Sequence, residues 1–485
     1  MSSSPNIGHD DSEQDPVPPQ SPHMVDGQGP DEISSPVNWG SRKKIVTVGI
    51  VSLFNFLTPL GSAMFAPGVS QAMEEFGSTS KPMSSFVVSV YLLGFAFGPL
   101  VVAPLSELYG RLPIYHASNV LFALFNVACA LAPSLSSLVG FRFLAGSAGS
   151  APLALGAGTI ADIIAPHRRG LAISAWAVGP VIGPVVGPVC GGFLSQDASW
   201  RWVFWTIAIA SGVVTGISFL VLRETYAPAL EARRAKHLRG QQKGDTYLRS
   251  ASSNDSRALS LFAASIVLPL KLLIFSPIVF LLSLYVALVY GFLYLLFTTM
   301  SQVYHDQYHF STSIVGLTYI GLGVGSALGL LATGRLSDPI SHRLAARARG
   351  SKKPEYRLAP MIPLSLCLPI GLFWYGWSTQ QKVHWIVPII GTGWIGVGVV
   401  VSFTSIQTYL VEAFTTSAAS AAAANTVLRS LMGAVLPLAG PSMYSALGLG
   451  WGNSLLAFIA ISILPLPIVF FMYGETLRTR YPMKA

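Results

Sequence analysis

The chain has 485 residues, of which 52% are hydrophobic and only 11% charged. That balance excludes an ordinary soluble domain and suits a polytopic membrane protein. The net charge of +9 would suit a nucleic-acid partner, but the basic residues flank apolar runs, so topology explains them and no nucleic acid is expected. Cys129, Cys190 and Cys367 lie inside apolar runs. They read as free thiols, not as a disulfide framework or a metal site, and no cofactor or metal is expected.

Residues 1–40 are rich in Ser, Pro, Gly and Asp, with seven acidic residues and no Lys or Arg. This composition reads as a disordered, acidic cytosolic tail. It does not read as a secretory leader, because the n-region is acidic and no short apolar run follows. The first apolar run comes only after Arg42-Lys43-Lys44.

Twelve spans long enough for a bilayer follow. The first half holds 45–67, 84–105, 113–132, 139–163, 171–194 and 202–222; the second holds 277–299, 313–334, 358–378, 385–411, 418–444 and 452–473. The expected domains are a tail (1–40), a six-helix lobe (41–222), a basic linker (223–276), a second lobe (277–475) and a short cytosolic tail (476–485). With the N-terminus inside, inner segments carry 25 Lys and Arg, and outer loops carry 3: Lys81, Arg201 and Lys382. The positive-inside rule therefore places both termini and the linker in the cytosol.

The turn after span 2 reads Leu105-Ser106-Glu107-Leu108-Tyr109-Gly110-Arg111. Gly110 permits a tight turn. Glu107 can face the positive end of a neighbouring helix, and Arg111 can pair with Asp162 at the cytosolic end of span 4. Interfacial anchoring of a short loop is the plainer reading. Arg142 lies within span 4, where a charge costs roughly 3 kcal/mol and normally faces a cavity or a partner; snorkelling to the outer interface is the alternative.

Span 5 carries glycine at every fourth position, at Gly179, Gly183, Gly187 and Gly191, followed by Gly192, and prolines at Pro180, Pro184 and Pro188. The glycines make a groove that lets a neighbouring helix approach closely, and the prolines bend the helix. An ordinary packing helix would show the same stripe.

Arg429 lies about twelve residues into span 11, with Asn425 one turn before it on the same face. Tyr290 and Tyr294 on span 7, and Trp394 and Gln407 on span 10, could complete an aromatic and polar cavity with them. For each aromatic alone, plain packing is the simpler role. No carboxylate lies in the middle of any span; Glu107, Asp162 and Glu412 all sit near cytosolic ends. A site for cations normally supplies a buried anion, so two arginines favour a neutral or anionic cargo.

The halves repeat. Gly94-x-x-x-Gly98-x4-Ala103-x-Leu105-Ser106-Glu107 is matched 231 residues later by Gly325-x-x-x-Gly329-x4-Gly334-x-Leu336-Ser337-Asp338. Trp200 and Glu224-Thr225 are matched 251 residues later by Trp451 and Glu475-Thr476. Transporters use such repeats to rock around a central site. Glu107, Arg111, Asp162 and Asp338 then fall where spans 2, 4 and 8 reach the cytosol, as a latch for the outward-facing state would require.

Several of these segments resemble the major facilitator superfamily, and in particular its fungal twelve-helix drug:proton antiporters. Gly183-x-x-x-Gly187-Pro188-x-x-Gly191-Gly192 resembles the fifth-helix antiporter motif, which in that family separates exporters from importers. The 105–111 turn resembles the signature loop, with Glu107 and Leu108 departing from the commonest pattern as fungal members do. Arg142-x-x-x-Gly146, Pro36-Val37-Asn38-Trp39, Arg223-Glu224-Thr225-Tyr226-Ala227-Pro228 and Ala424-Asn425-x-x-x-Arg429-Ser430 resemble the same proteins. The resemblance implies the fold, export and proton coupling, and it implies no particular substrate.

The expected fold is thus an all-α membrane protein of twelve helices in two six-helix pseudo-repeat lobes. The expected function is efflux of a small organic molecule by proton antiport, from a monomer in the plasma membrane, with the vacuolar membrane as the other location. A proton-coupled importer and a transporter-like sensor are the alternatives. An enzyme is not expected: His305-x-x-x-His309 has ligand-like spacing but falls in a short outer loop without a third ligand.

Overall fold

The computed structural model describes residues 36–165, 169–231, 266–348, 353–414 and 417–480. The acidic tail up to residue 35, linker residues 232–265 and the last five residues lie outside the described residues. Among the described residues the structure is helical, without a strand. The first lobe contains α1 (Ser41–Ala63), α2 (Lys81–Tyr109), α3 (Arg111–Ala130), α4 (Leu135–Ile163), α5 (Arg169–Asp197) and α6 (Trp200–Val221). The second contains α7 (Pro277–Tyr308), α8 (Thr312–Arg347), α9 (Pro354–Gln380) and α10 (Ile386–Ala413), then a long apolar stretch, Ala418–Arg478.

That stretch has 61 residues. As one straight helix it would reach about 90 Å, three times the hydrocarbon core of a bilayer. It turns back at Gly448, whose φ of 74° and ψ of 174° no helix contains. Across the turn the Tyr444 hydroxyl donates to Asn453 Oδ1 at 3.1 Å. A Cβ on Gly452 would strike the Tyr444 ring at 2.7 Å, although eight residues of continuous helix would separate the two by about 12 Å. The stretch is therefore two crossings, α11 (418–447) and α12 (449–480). Twelve crossings place both ends of the described chain on one face, the terminal face.

Local chemistry explains the breaks. α4 is two helices, Leu135–Gly149 and Ala151–Ile163, parted where Pro152 opens the second. Ser134 and Ser137 form a reciprocal capping box at its start. The linker is not polar to its end: Ile266–Phe275 is an apolar helix. Leu272 is buried, while Val267, Leu270, Ile274 and Phe275 are exposed, a face suited to the membrane interface.

Arg201, at the start of α6, is a staple. It pairs with Glu75 at 2.7 Å and donates to the carbonyls of Ala130 and Ala132, where α3 ends. Trp200 donates to the same carboxylate at 2.6 Å. The matched tryptophan of the second lobe differs: Trp200 is 2% exposed and Trp451 57%. The repeat is one of topology there, not of environment.

The lobes meet through α2 with α11, α5 with α8 and α2 with α7. The contacts between lobes, Ser62 with Tyr294, Ser89 with Ala434 and Gly192 with Thr312, lie in the halves of these helices farther from the terminal face.

Candidate functional site

Arg429 of α11 is the centre of the lobe-facing cluster. Its guanidinium lies 4.7 Å from the Tyr290 ring and 4.8 Å from the Phe403 ring. Both are cation–π contacts of a kind that desolvation strengthens. Arg429 Nε is buried without a hydrogen-bond partner. One turn earlier, Asn425 donates through Nδ2 to Gln407 Oε1 at 2.8 Å, and its own Oδ1 is buried and unpartnered. A free donor and a free acceptor, one turn apart beside two rings, can take a polar, flat ligand. Phe403 was not singled out from sequence.

Tyr290 and Tyr294 pack with ring centroids 5.0 Å apart. Trp394 does not join them. It lies nine residues, two and a half turns, before Phe403 on α10, so it points the opposite way. It is 42% exposed, on the face away from Arg429. Packing of Gly391 and Ile395 on α9, and of Gly393 and Gly396 on α8, fixes that rotation.

Arg142 does not line this cluster, nor does it snorkel. It is 1% exposed, enclosed by Phe65, Tyr91 and Phe204 at 5.2, 5.4 and 5.6 Å. Its Nη2 donates to the carbonyls of Ser62 (3.0 Å) and Val88 (3.2 Å), and its Nε is unpartnered. Among the described residues neither Arg142 nor Arg429 has a carboxylate partner. Three rings and two carbonyls spread the Arg142 charge instead.

At the terminal face, Arg111 Nε donates to Asp162 Oδ2 at 2.5 Å. Tyr226 lies over the Arg111 guanidinium at 5.3 Å. Burial, reinforced by the Glu107 carboxylate, pushes the Tyr226 phenol up. Glu107 itself is exposed and makes no hydrogen bond or ion pair among the described residues. The anion at the start of α3 is Glu224, which accepts from the backbone N–H groups of Arg111, Leu112, Thr225 and Tyr226 at 3.0–3.2 Å. A carboxylate there meets the positive end of the helix. Gly110, at φ 93°, needs glycine twice over, because a Cβ would also overlap Glu224.

The second lobe repeats the arrangement with other residues. Arg357 pairs with Asp338 at 2.5 Å and with Glu412 at 2.8 Å. Arg357 and Glu412 follow Arg111 and Asp162 by 246 and 250 positions, between the two repeat offsets of 231 and 251, so a search of that interval for a basic residue was the signal for Arg357. Each cluster is knit within its own lobe. Lys353 pairs with Glu475, whose carboxylate holds the Lys353 ammonium above its ordinary range.

The α5 stripe packs as a groove. Cβ atoms on Gly179, Gly183 and Gly187 would stand 2.8–2.9 Å from backbone atoms of α1, and one on Gly191 would overlap the Met64 carbonyl. Pro188 and Gly192 face the other lobe. A Cβ on Gly192 would lie 2.7 Å from the Thr312 carbonyl, and one on Gly316 would meet the Pro188 carbonyl. So the stripe holds α1 on one side and α8 on the next.

Two pseudo-symmetric six-helix lobes, a polar cluster at their junction and mirrored ion pairs at one face define a multi-pass membrane transporter for small molecules. The profile of the Major Facilitator Superfamily matches residues 51–437. The chain belongs to that family. It is 56% identical over 458 residues to the MFS-type transporter penM of Penicillium rubens, covering 94% of this chain and 90% of that one. It is 47% identical over 459 residues to the efflux pump radE of Floropilus chiversii, covering 94% and 85%. Among solved structures, the xylose transporter XylE from E. coli, in a partially occluded inward open conformation, superposes with a TM-score of 0.67. It does so at 16% identity over 89% of this chain and 98% of that one, a likeness of fold.

Proposed function

We propose that the protein exports a small neutral or anionic organic molecule from the cytosol, by alternating access in exchange for protons. The carrying observation is the Arg429 cluster: a guanidinium between Tyr290 and Phe403 with Nε free, beside the free Oδ1 of Asn425, and with no carboxylate partner among the described residues. Such a site rewards a carboxylate or an oxygen-rich ring system and repels a cation. The glycine-proline stripe of α5 and the efflux pump radE among the relatives support the outward direction. The protein works as a monomer in the plasma membrane with both termini cytosolic, the lobes rocking about the Arg429 site.

The test is transport in sealed vesicles of both orientations, with an organic acid, a neutral toxin and a polyamine as cargo and an imposed pH gradient. Outward movement of the acid or the toxin, driven by inward protons and lost in Arg429→Ala, is expected. Movement of the polyamine alone would overturn the charge argument, and uptake alone would make the protein an importer.

A further inference from the structure

Arg142 and Arg429 are joined by one chain of contacts that crosses between the lobes at a single hydrogen bond. Arg142 Nη2 donates to the Ser62 carbonyl at 3.0 Å. The Ser62 hydroxyl donates to the Pro59 carbonyl at 2.6 Å. That uses its one proton, so the Tyr294 hydroxyl, 2.9 Å away, donates to Ser62 Oγ. Tyr294 packs on Tyr290 at 5.0 Å, and Tyr290 lies against Arg429 at 4.7 Å. Ser62 and Tyr294 are both sealed from solvent. A second bond between the lobes, from Ser89 Oγ to the Ala434 carbonyl at 2.8 Å, lies five residues beyond Arg429 on α11.

We infer that the Tyr294–Ser62 hydrogen bond is the outer clasp of the transport cycle, and that Arg142 is the positioning residue that holds Ser62 ready for it. Arg142 touches no cargo. It grips the last turn of α1 by its carbonyl and so sets the Ser62 hydroxyl where Tyr294 can reach it. On the other side of the bond, Tyr290 belongs both to the Arg429 site and to the tilted ring pair with Tyr294. A ligand seated on Arg429 and Tyr290 therefore bears on the clasp, and it shifts the lobes through its different affinity for the clasped and unclasped states. A buried tyrosine hydroxyl that leaves Ser62 must find another partner, which water admitted between the lobes supplies. This inference rests on the alternating-access reading above, and it places the link between occupancy and opening in Tyr290, Tyr294 and Ser62.

The test needs no cargo. The reporter is Ala66→Cys, in the buried turn after α1 that packs on α7 and α8. The exposed Cys190 is replaced by serine. Labelling by a membrane-impermeant maleimide is then timed on the full chain in right-side-out and inside-out vesicles. Tyr294→Phe and Ser62→Ala should each speed labelling from the outer side by about three- to tenfold, the effect of one ordinary hydrogen bond on an equilibrium. Arg142→Lys, which keeps the charge and loses the forked donor, should speed it too, but add nothing in a Tyr294→Phe background. Unchanged labelling in Tyr294→Phe, or an Arg142→Lys effect of full size in that background, would overturn the clasp. Should Arg142→Lys fail to fold, Tyr294→Phe and Ser62→Ala still decide. Labelling that rises only from the inner side would fail the orientation instead, and transport that runs inward with the labelling pattern intact would fail only the export reading.

Discussion

Arg111 and Asp162, 51 residues apart in the chain, meet at 2.5 Å at the terminal face, and Arg357 and Glu412 meet at 2.8 Å in the matching place of the second lobe. Neither pair bridges the lobes. Each pair ties helices of its own lobe, while the Tyr294–Ser62 and Ser89–Ala434 bonds join the lobes elsewhere. We propose that Glu107, exposed near Tyr226, meets the other lobe when the terminal face closes.

Glu107→Gln and Arg111→Ala are expected to slow efflux several-fold while leaving expression and equilibrium cargo binding unchanged. A partly exposed ion pair is worth roughly 0–1 kcal/mol, enough to tilt two nearly balanced states. Binding and efflux measured in the same vesicles check this; unchanged efflux would leave both residues as loop anchors.

Arg429→Ala should act on binding itself. Losing a charged donor between two rings should weaken affinity for an anionic cargo by about tenfold or more. Phe403→Leu should weaken it less, because Tyr290 remains. Titration of purified protein with cargo gives the order, and equal losses at both positions would contradict it.

Glu224→Ala should destabilise the first lobe by about 3 kcal/mol, since four backbone donors lose a charged acceptor. Glu224→Gln should cost less, its amide oxygen still accepting while its amide nitrogen faces donors. Thermal unfolding in detergent reads both. A Glu224→Ala protein as stable as the parent would show that water replaces the carboxylate.

Gly191→Ala should destabilise by about 1–3 kcal/mol, because the added methyl overlaps the Met64 carbonyl and α1 must move. Gly216→Ala is the control: nothing lies within 4 Å of its Cβ position, so it should be neutral or slightly stabilising. Parallel unfolding curves separate the two, and equal stabilities would mean α1 yields freely.

Much of the fold was legible because a bilayer leaves few choices. Helical rise and hydrocarbon thickness turn apolar run length into crossings, and the 231- and 251-residue offsets exposed two halves before any contact was known. Individual side chains were legible where chemistry is local: Asp162 for Arg111, Asn425 one turn from Arg429, glycine at 110. Trp394 was not, for a definite reason. A span that is apolar all round carries no periodic signal of which face turns inward, and only the packing of α10 on α8 and α9 sets its rotation. Arg142 was legible as costly but not as enclosed, because Phe65, Tyr91 and Phe204 come from the turn after α1, from α2 and from α6.

By itself, then, the sequence determined the number of crossings, the two lobes, the sign of charge at each face and the residues too costly to bury without purpose. Those follow from length, hydropathy and spacing, which act along the chain. The tertiary structure decided what each costly residue meets: Phe403 and Tyr290 for Arg429, Ser62 for Arg142 and Tyr294, and Arg357 for Asp338. Those partners depend on helix rotation and approach, which short-range attraction and close packing settle only when all the helices are in place.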